Sequence, residues 1–234
     1  MLRITRSLAC AAAAVVAVAD IAEAQSLRPI TRHKLGIEGT LMVPTGQFGQ
    51  FVDVGGGLGM SFVAGIDPEG ILGIRIEGSG LWYGHESWDV WLGPRLPYSY
   101  LRASTDNMIF SAGAGPQITL GTGRLRLYGF GTAGFSYFVT TSSVDGVDGY
   151  DYASHTNFDD WSAALAAGGG LLTQLSGSRH PVFLDLGARW THTGTTDYLR
   201  EGGIVTTPDG GVIFYPIRSE ANRWNFSLGV VVGL

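Results

Sequence analysis

Apolar and polar residues alternate with a period of two through eight separate stretches of the chain. In residues 34–43, Leu35, Ile37, Gly39, Leu41 and Val43 share one face, and Gly36, Glu38, Thr40 and Met42 share the other. Residues 52–65 align Leu58, Met60, Phe62 and Ala64. Residues 71–83 set Leu72, Ile74, Ile76 and Trp82 against Arg75, Glu77 and Ser79, and residues 107–120 set Met108, Phe110, Ala112, Ala114 and Ile118 against Ser111, Gln117 and Thr119. A run at 124–139 and a Gly-rich run at 161–175 follow. Residues 182–192 oppose Leu184, Leu186, Ala188 and Trp190 to Asp185, Gly187 and Arg189. Residues 223–234 close the series, with Trp224, Phe226, Leu228, Val230, Val232 and Leu234 on one side and Asn225, Ser227, Gly229 and Gly233 on the other.

A period of two marks strands with one apolar face. Runs of about 9–15 residues suit tilted strands crossing a bilayer, which need roughly 9–11; strands of soluble proteins average about 5–6. An even strand count returns both ends to one side of a membrane. In hydrocarbon every backbone N–H and C=O needs a protein partner, so a strand-built membrane domain must close on itself. The pattern therefore predicts an all-β fold: an eight-stranded antiparallel transmembrane up-and-down β-barrel, with its apolar register toward lipid and its polar register inward.

The connections alternate in length. Residues 66–70, 121–123 and 176–179 are tight Gly/Pro/Ser turns, whereas 84–106, 140–160 and 193–222 are long. Short turns on one side and long loops on the other are the habit of outer-membrane barrels; the short connection 44–51 departs from it. All six Trp (Trp82, Trp88, Trp91, Trp161, Trp190 and Trp224) fall at the long-loop ends of strands or in a long loop. Trp favours the membrane–water boundary, so Trp82, Trp161, Trp190 and Trp224 are expected to form an interfacial girdle.

Composition agrees. Charged residues are 15% of the 234 and Gly numbers 36, where soluble domains carry about 25% charge. The net charge of −5 and the lack of a Lys/Arg cluster argue against a nucleic-acid partner. At the N-terminus, Arg3 and Arg6 precede a short apolar core at 8–19, and Ala22-Glu23-Ala24 supplies small residues at −3 and −1. This is the three-part form of a secretory signal, predicting a cleavable signal peptide at 1–24 and a mature barrel at 25–234. Cys10 is the sole cysteine and lies within that leader. Disulfides, thiol catalysis and Cys-based metal sites are thus not expected in the mature chain.

The segment Val43-Pro44-Thr45-Gly46-Gln47-Phe48-Gly49, followed by Gly55-Gly56-Gly57-Leu58-Gly59, resembles the start of small outer-membrane β-barrel proteins related in pattern to the transmembrane domain of outer membrane protein A. Gly113-Ala114-Gly115-Pro116-Gln117 and the alternating final run fit the same family. The resemblance implies a barrel in the bacterial outer membrane, with outer-membrane lipids and lipopolysaccharide around it and the barrel-assembly machinery as its partner in biogenesis. That family usually ends in Phe or Trp, whereas Leu234 stands here. The resemblance carries no catalytic site and no cofactor, and no peptidoglycan-binding domain is expected after the last run.

The inward register collects Glu38, Arg75, Glu77, Gln117, Arg126, Asp185 and Arg189. Three acids and three Arg balance, and an eight-stranded barrel is just wide enough for side chains to fill. Buried charges must be paired, so these residues are expected to form a network that plugs the lumen; a narrow channel is the competing reading. Asp145, Asp148, Asp151, Asp159 and Asp160 make an acidic segment with His155, without the spacing of a Ca²⁺ loop, so no metal site is expected. His192 precedes Thr193 and Thr195, but the position of a serine nucleophile in outer-membrane lipid A deacylases holds Gly194. His85 and His180 show no catalytic partner in sequence, and an enzyme is not expected. A structural or surface-interaction role leads, ahead of a channel for small solutes and a lipid-modifying enzyme.

Overall fold

A computed structural model describes residues 32–91, 100–121, 123–145, 151–177, 180–200, 202–206 and 212–234. The leader at 1–24 and its cleavage site lie outside these residues. The described strands are β1 (His33–Pro44), β2 (Gly55–Gly65), β3 (Leu72–Trp91), β4 (Tyr100–Leu120), β5 (Leu125–Asp145), β6 (Asp151–Gln174), β7 (Val182–Thr193), β8 (Thr195–Tyr198), β9 (Ile204–Thr206), β10 (Val212–Phe214), β11 (Ile217–Glu220) and β12 (Arg223–Gly233). Strands β1 to β7 and β12 form a closed barrel in which every neighbouring pair is antiparallel. Closure is made by the chain's first and last runs, with Leu35 opposite Val232 and Leu41 opposite Phe226. The eight runs of alternating residues are these eight strands.

The register places the apolar side outward. On β1, Leu35, Ile37 and Leu41 are exposed while Lys34, Gly36, Thr40 and Met42 are buried. On β12, Trp224, Phe226, Leu228 and Val230 are exposed while Arg223, Asn225 and Val231 are buried. Ile37, Leu58 and Met60 are each more than 60% exposed, the reverse of a soluble core. A one-residue slip in register would turn each of these apolar sets into the lumen.

Glycine makes room inside. A Cβ on Gly170 would lie 2.6 Å from the Tyr128 hydroxyl, and one on Gly187 3.0 Å from it. The Gly-rich stretch of β6 therefore lets the Tyr128 ring lie across the lumen. Elsewhere glycine shapes a turn: Gly70, at φ 68°, closes the β2–β3 connection, where Ile66 N–H donates to Leu72 O at 2.9 Å.

The long connections differ from expectation. Much of 84–106 and 140–160 is strand, because β3 runs to Trp91, β4 begins at Tyr100, β5 runs to Asp145 and β6 begins at Asp151. Hydroxyl pairs tie this extension together: Ser104 to Ser143 at 2.8 Å, Thr105 to Ser142 at 2.6 Å, and Thr140 donating to Asn107 at 2.6 Å. Pairing continues, but the residues no longer alternate in polarity. Asp145 opposes Asp151 in this ladder; Asp148 lies outside the described residues. The 193–222 connection holds two small ribbons, β8 with β11 and β9 with β10. Asp160 anchors the first, accepting from Thr196 Oγ1 at 2.9 Å and Asp197 N at 2.7 Å.

Candidate functional site

The lumen is stacked in tiers. Near the short-turn end, Leu172, Phe183 and Val231 pack with Tyr128, and Lys34 is 3% exposed. Arg126 lays its guanidinium over Phe183 at 4.9 Å and donates through Nε to Gly123 O at 3.3 Å.

The middle tier is ionic. Arg75 Nε donates to Glu77 Oε2 at 2.7 Å, and Arg189 Nη1 meets Glu77 Oε1 at 3.1 Å. Arg75 Nη1 donates to Gln117 Oε1 at 3.2 Å, Gln117 Nε2 to Thr119 Oγ1 at 3.3 Å, and Thr132 Oγ1 to Glu77 Oε1 at 2.9 Å. The Arg75 guanidinium also stacks on Phe130 at 4.4 Å. Glu77 is thus the single carboxylate between two guanidinium groups, placed by β3 and reached from β7 and β5.

The structure brings Arg75, Glu77, Gln117 and Arg189 into one cluster and leaves three of the expected members outside it. Asp185 accepts from the Tyr128 hydroxyl at 2.8 Å and, among the described residues, forms no salt bridge with an Arg. Glu38 borders a small cavity with Arg75, Tyr128 and Arg189 without joining the chain of bonds. Arg126 lies in the lower tier, because its position near the start of β5 puts it beside the 121–123 turn. The charge balance also needs correction. Lys34 and Arg223 share the inward register, so the described lumen holds five cations (Lys34, Arg75, Arg126, Arg189 and Arg223) against three acids (Glu38, Glu77 and Asp185).

An upper tier, missed in the sequence, surrounds Arg223. Its guanidinium donates to Thr193 Oγ1 at 3.0 Å, Ala221 O at 3.2 Å, and Ser111 and Ser136 Oγ at 2.9 Å each. Above it the mouth is shut by an apolar cluster of Met42, Phe48, Val52, Leu81, Tyr83, Ile109, Phe138, Tyr198 and Ala221. Phe48 comes from a single 3₁₀ turn, Phe48–Gln50, in the short first outer connection. Its ring meets Tyr198 at 5.0 Å, Tyr83 at 5.9 Å and Phe138 at 6.3 Å, all edge to face. Tyr83 OH donates to Leu199 O at 3.1 Å, fixing the 193–222 connection over the mouth. The connection 44–51 carries two apolar rings, Phe48 and Phe51, and nothing in the sequence singles out Phe48 as the one that enters the mouth.

Trp82, Trp161, Trp190 and Trp224 all stand on the outer surface, at 46, 69, 36 and 41% exposure. Trp190 and Trp224 oppose each other across β7 and β12. Of Trp88 and Trp91, the strand position on β3 is described and the side chain is not. His192 Nδ1 lies 2.8 Å from Asn222 Oδ1 and its ring stacks on Trp190. His85 pairs with Asp106 at 2.8 Å. Among the described residues no group of three or more His, Cys, Asp or Glu is placed to hold a metal ion.

These features define a class by architecture: a closed eight-stranded antiparallel barrel, apolar outside and filled inside. No family model and no curated protein matches the sequence. Among solved structures, the chain is similar to Neisserial surface protein A, at 16% identity and a TM-score of 0.47, covering 87% of this chain and 98% of that one. It is similar to Ail, the attachment invasion locus protein of Yersinia pestis, at 13% identity and a TM-score of 0.41, covering 86% and 99%. It is also similar to a major outer membrane protein from Thermus thermophilus, at 11% identity and a TM-score of 0.43, covering 85% and 98%.

Proposed function

We propose that this chain is an integral outer-membrane barrel with a structural or surface-interaction role, and that it neither conducts solutes nor catalyses a reaction. The observation that carries the reading is the outward apolar register. Leu35, Ile37, Leu58, Met60, Ile74, Ile76, Leu186, Leu228 and Val230 are all at least 40% exposed on a closed wall, a surface that lipid covers and water does not. Closure leaves no open edge to hydrocarbon. The outer-surface Trp residues suit a boundary between acyl chains and headgroups, which supports outer-membrane lipids and lipopolysaccharide as the surrounding partners.

The filled interior supports a non-conducting role. The ionic tier, Arg223 and the Phe48 cluster succeed one another along the lumen, with a small cavity near 20 Å³ between Arg189 and Arg223. What remains for interaction is the projecting part of β3 to β6 with the β8–β11 ribbons, which face outward from the closed mouth.

Membrane fractionation with unboiled gel electrophoresis, then planar bilayer recording of the purified chain, tests the reading. The chain is expected in the detergent-extracted envelope fraction, with a mobility that changes on boiling and no steady conductance. Free solubility without detergent would overturn the membrane assignment. Sustained conductance would replace the plug with the narrow channel, and turnover of lipid A or phospholipid would replace it with an enzyme.

A further inference from the structure

Arg223 is a buried cation without a counter-charge in hydrogen-bond or ion-pair contact among the described residues. It is 1% exposed, and its four hydrogen-bond acceptors are all neutral: Thr193 Oγ1, Ala221 O, Ser111 Oγ and Ser136 Oγ. The cavity of about 20 Å³ beside it is lined by Arg189, Glu77, Thr132, Thr191 and Ser111 as well. The single charge of Glu77 is already shared by Arg75 and Arg189, with Thr132 on the same carboxylate, so it falls short of balancing Arg223 as well. Among the described residues the Nε atoms of both Arg189 and Arg223 are enclosed by protein and have no hydrogen-bond partner, so they add positive charge beside the cavity without lining it.

Hydroxyl protons are in surplus here too. Ser111 and Ser136 lie 2.9 Å apart, so one proton is used between them and the other is free to be donated. Thr191 Oγ1 accepts from Asn225 Nδ2 at 3.4 Å and keeps its own proton to give. A buried charge must be paired or solvated, and the described lumen as a whole holds two more cations than acids. The cavity exceeds the roughly 10–15 Å³ needed for one water.

We propose that the cavity between Arg189 and Arg223 binds one small monovalent anion of the halide class, chloride under cellular conditions, as an internal counter-ion. The positive charge of Arg189 and Arg223 beside the cavity and the spare hydroxyl protons at Ser111 and Thr191 hold it, while Glu77, shared by two guanidinium groups, borders the site and limits its affinity. The site depends on the packing of the lumen alone, so failure of the membrane assignment would leave it standing.

Two measurements on the mature chain folded in detergent test the site. Crystals grown in bromide are expected to show an anomalous peak in this cavity. The thermal midpoint is expected to be higher in sodium chloride than in sodium gluconate at equal ionic strength, by about 2–4 °C, and Arg223→Gln should abolish that difference. Should Arg223→Gln not fold, the wild-type bromide peak decides alone. An ordered water in the cavity without anomalous signal, or equal midpoints in the two salts, would overturn the proposal.

Discussion

Glu77→Gln is the most direct perturbation of the lumen. The carboxylate is 6% exposed and the Arg75 side chain 5%, at a separation of 2.7 Å, and Arg189 shares the same carboxylate at 3.1 Å. Gln preserves the volume and one acceptor oxygen but turns an amide NH₂ toward one guanidinium group and removes the charge both require. Removing one member of a buried pair costs about 3–5 kcal/mol, chiefly because the partner's charge remains buried. For a chain of this size, 1 kcal/mol moves the thermal midpoint by roughly 2–4 °C, so the loss is on the order of 6–20 °C. Thermal and urea unfolding in detergent, followed by the fluorescence of the outer-surface Trp residues and by the gel mobility of unboiled samples, measure the midpoint and the free-energy loss. Adding Arg75→Met to Glu77→Gln relieves one orphaned cation, so the double variant should lose less than the sum of the singles, with a coupling of about 0.5–3 kcal/mol. If Glu77→Gln stays within about 1 kcal/mol of wild type, the ordinary size of a point-mutation effect, the ionic tier does not support the barrel and the argument fails.

Two further outcomes concern the ends of the barrel. Phe48→Ala removes a fully buried ring from the mouth cluster; a loss of about 3–5 kcal/mol is expected in the same urea assay, with faster amide exchange across 193–199, and unchanged exchange there would show that the ring does not hold the cap. At the opposite end, Asp67 Oδ2 and Oδ1 accept from Ile71 N at 2.9 Å and Leu72 N at 2.6 Å. Desolvation, the largest single effect, pushes its pKa up, but these two bonds together with its own backbone amide and the charge of Lys34 outweigh it and hold the carboxyl below its ordinary value of 3.8. The turn's protection is therefore complete above that value and is lost as pH falls through the lower folded pKa. Exchange at the Ile71 and Leu72 amides should accelerate on acidification below pH 3.8, and in Asp67→Ala should already be fast at neutral pH; a flat profile would refute the assignment.

The barrel wall was legible because one physical demand, an apolar register against a polar one, writes a period of two directly into Leu35-to-Val43 and Trp224-to-Leu234. The projecting parts of β3 to β6 were not legible as strand, since both faces of Thr140-Thr141-Ser142-Ser143 are polar and the period disappears while the hydrogen-bond ladder persists. Phe48 escaped for the opposite reason: its partners Tyr83, Phe138 and Tyr198 come from three distant stretches, and only the closed barrel brings them together.

The charge count shows the limit most sharply. Arg75, Glu77, Asp185 and Arg189 stand in mid-run, where the alternation assigns a face without ambiguity. Lys34 and Arg223 stand at the ends of β1 and β12, where an exposed, solvated residue is the ordinary case, yet both are buried. The reason lies in closure. Thr193 and Ala221 turn the chain over the rim and cover Arg223 from above, while Ser111 and Ser136 reach it from β4 and β5 on other parts of the wall. A residue at a strand end becomes interior only when long-range connections fold across that end, so the excess of positive charge in the lumen is a property of the caps as much as of the strands. The same reasoning couples the two ends of the argument: loosening the cap through Phe48→Ala should admit water to Arg223 and shrink the difference between chloride and gluconate midpoints. Retention of the full difference in a variant whose cap exchanges freely would mean that the anion's hold does not depend on burial.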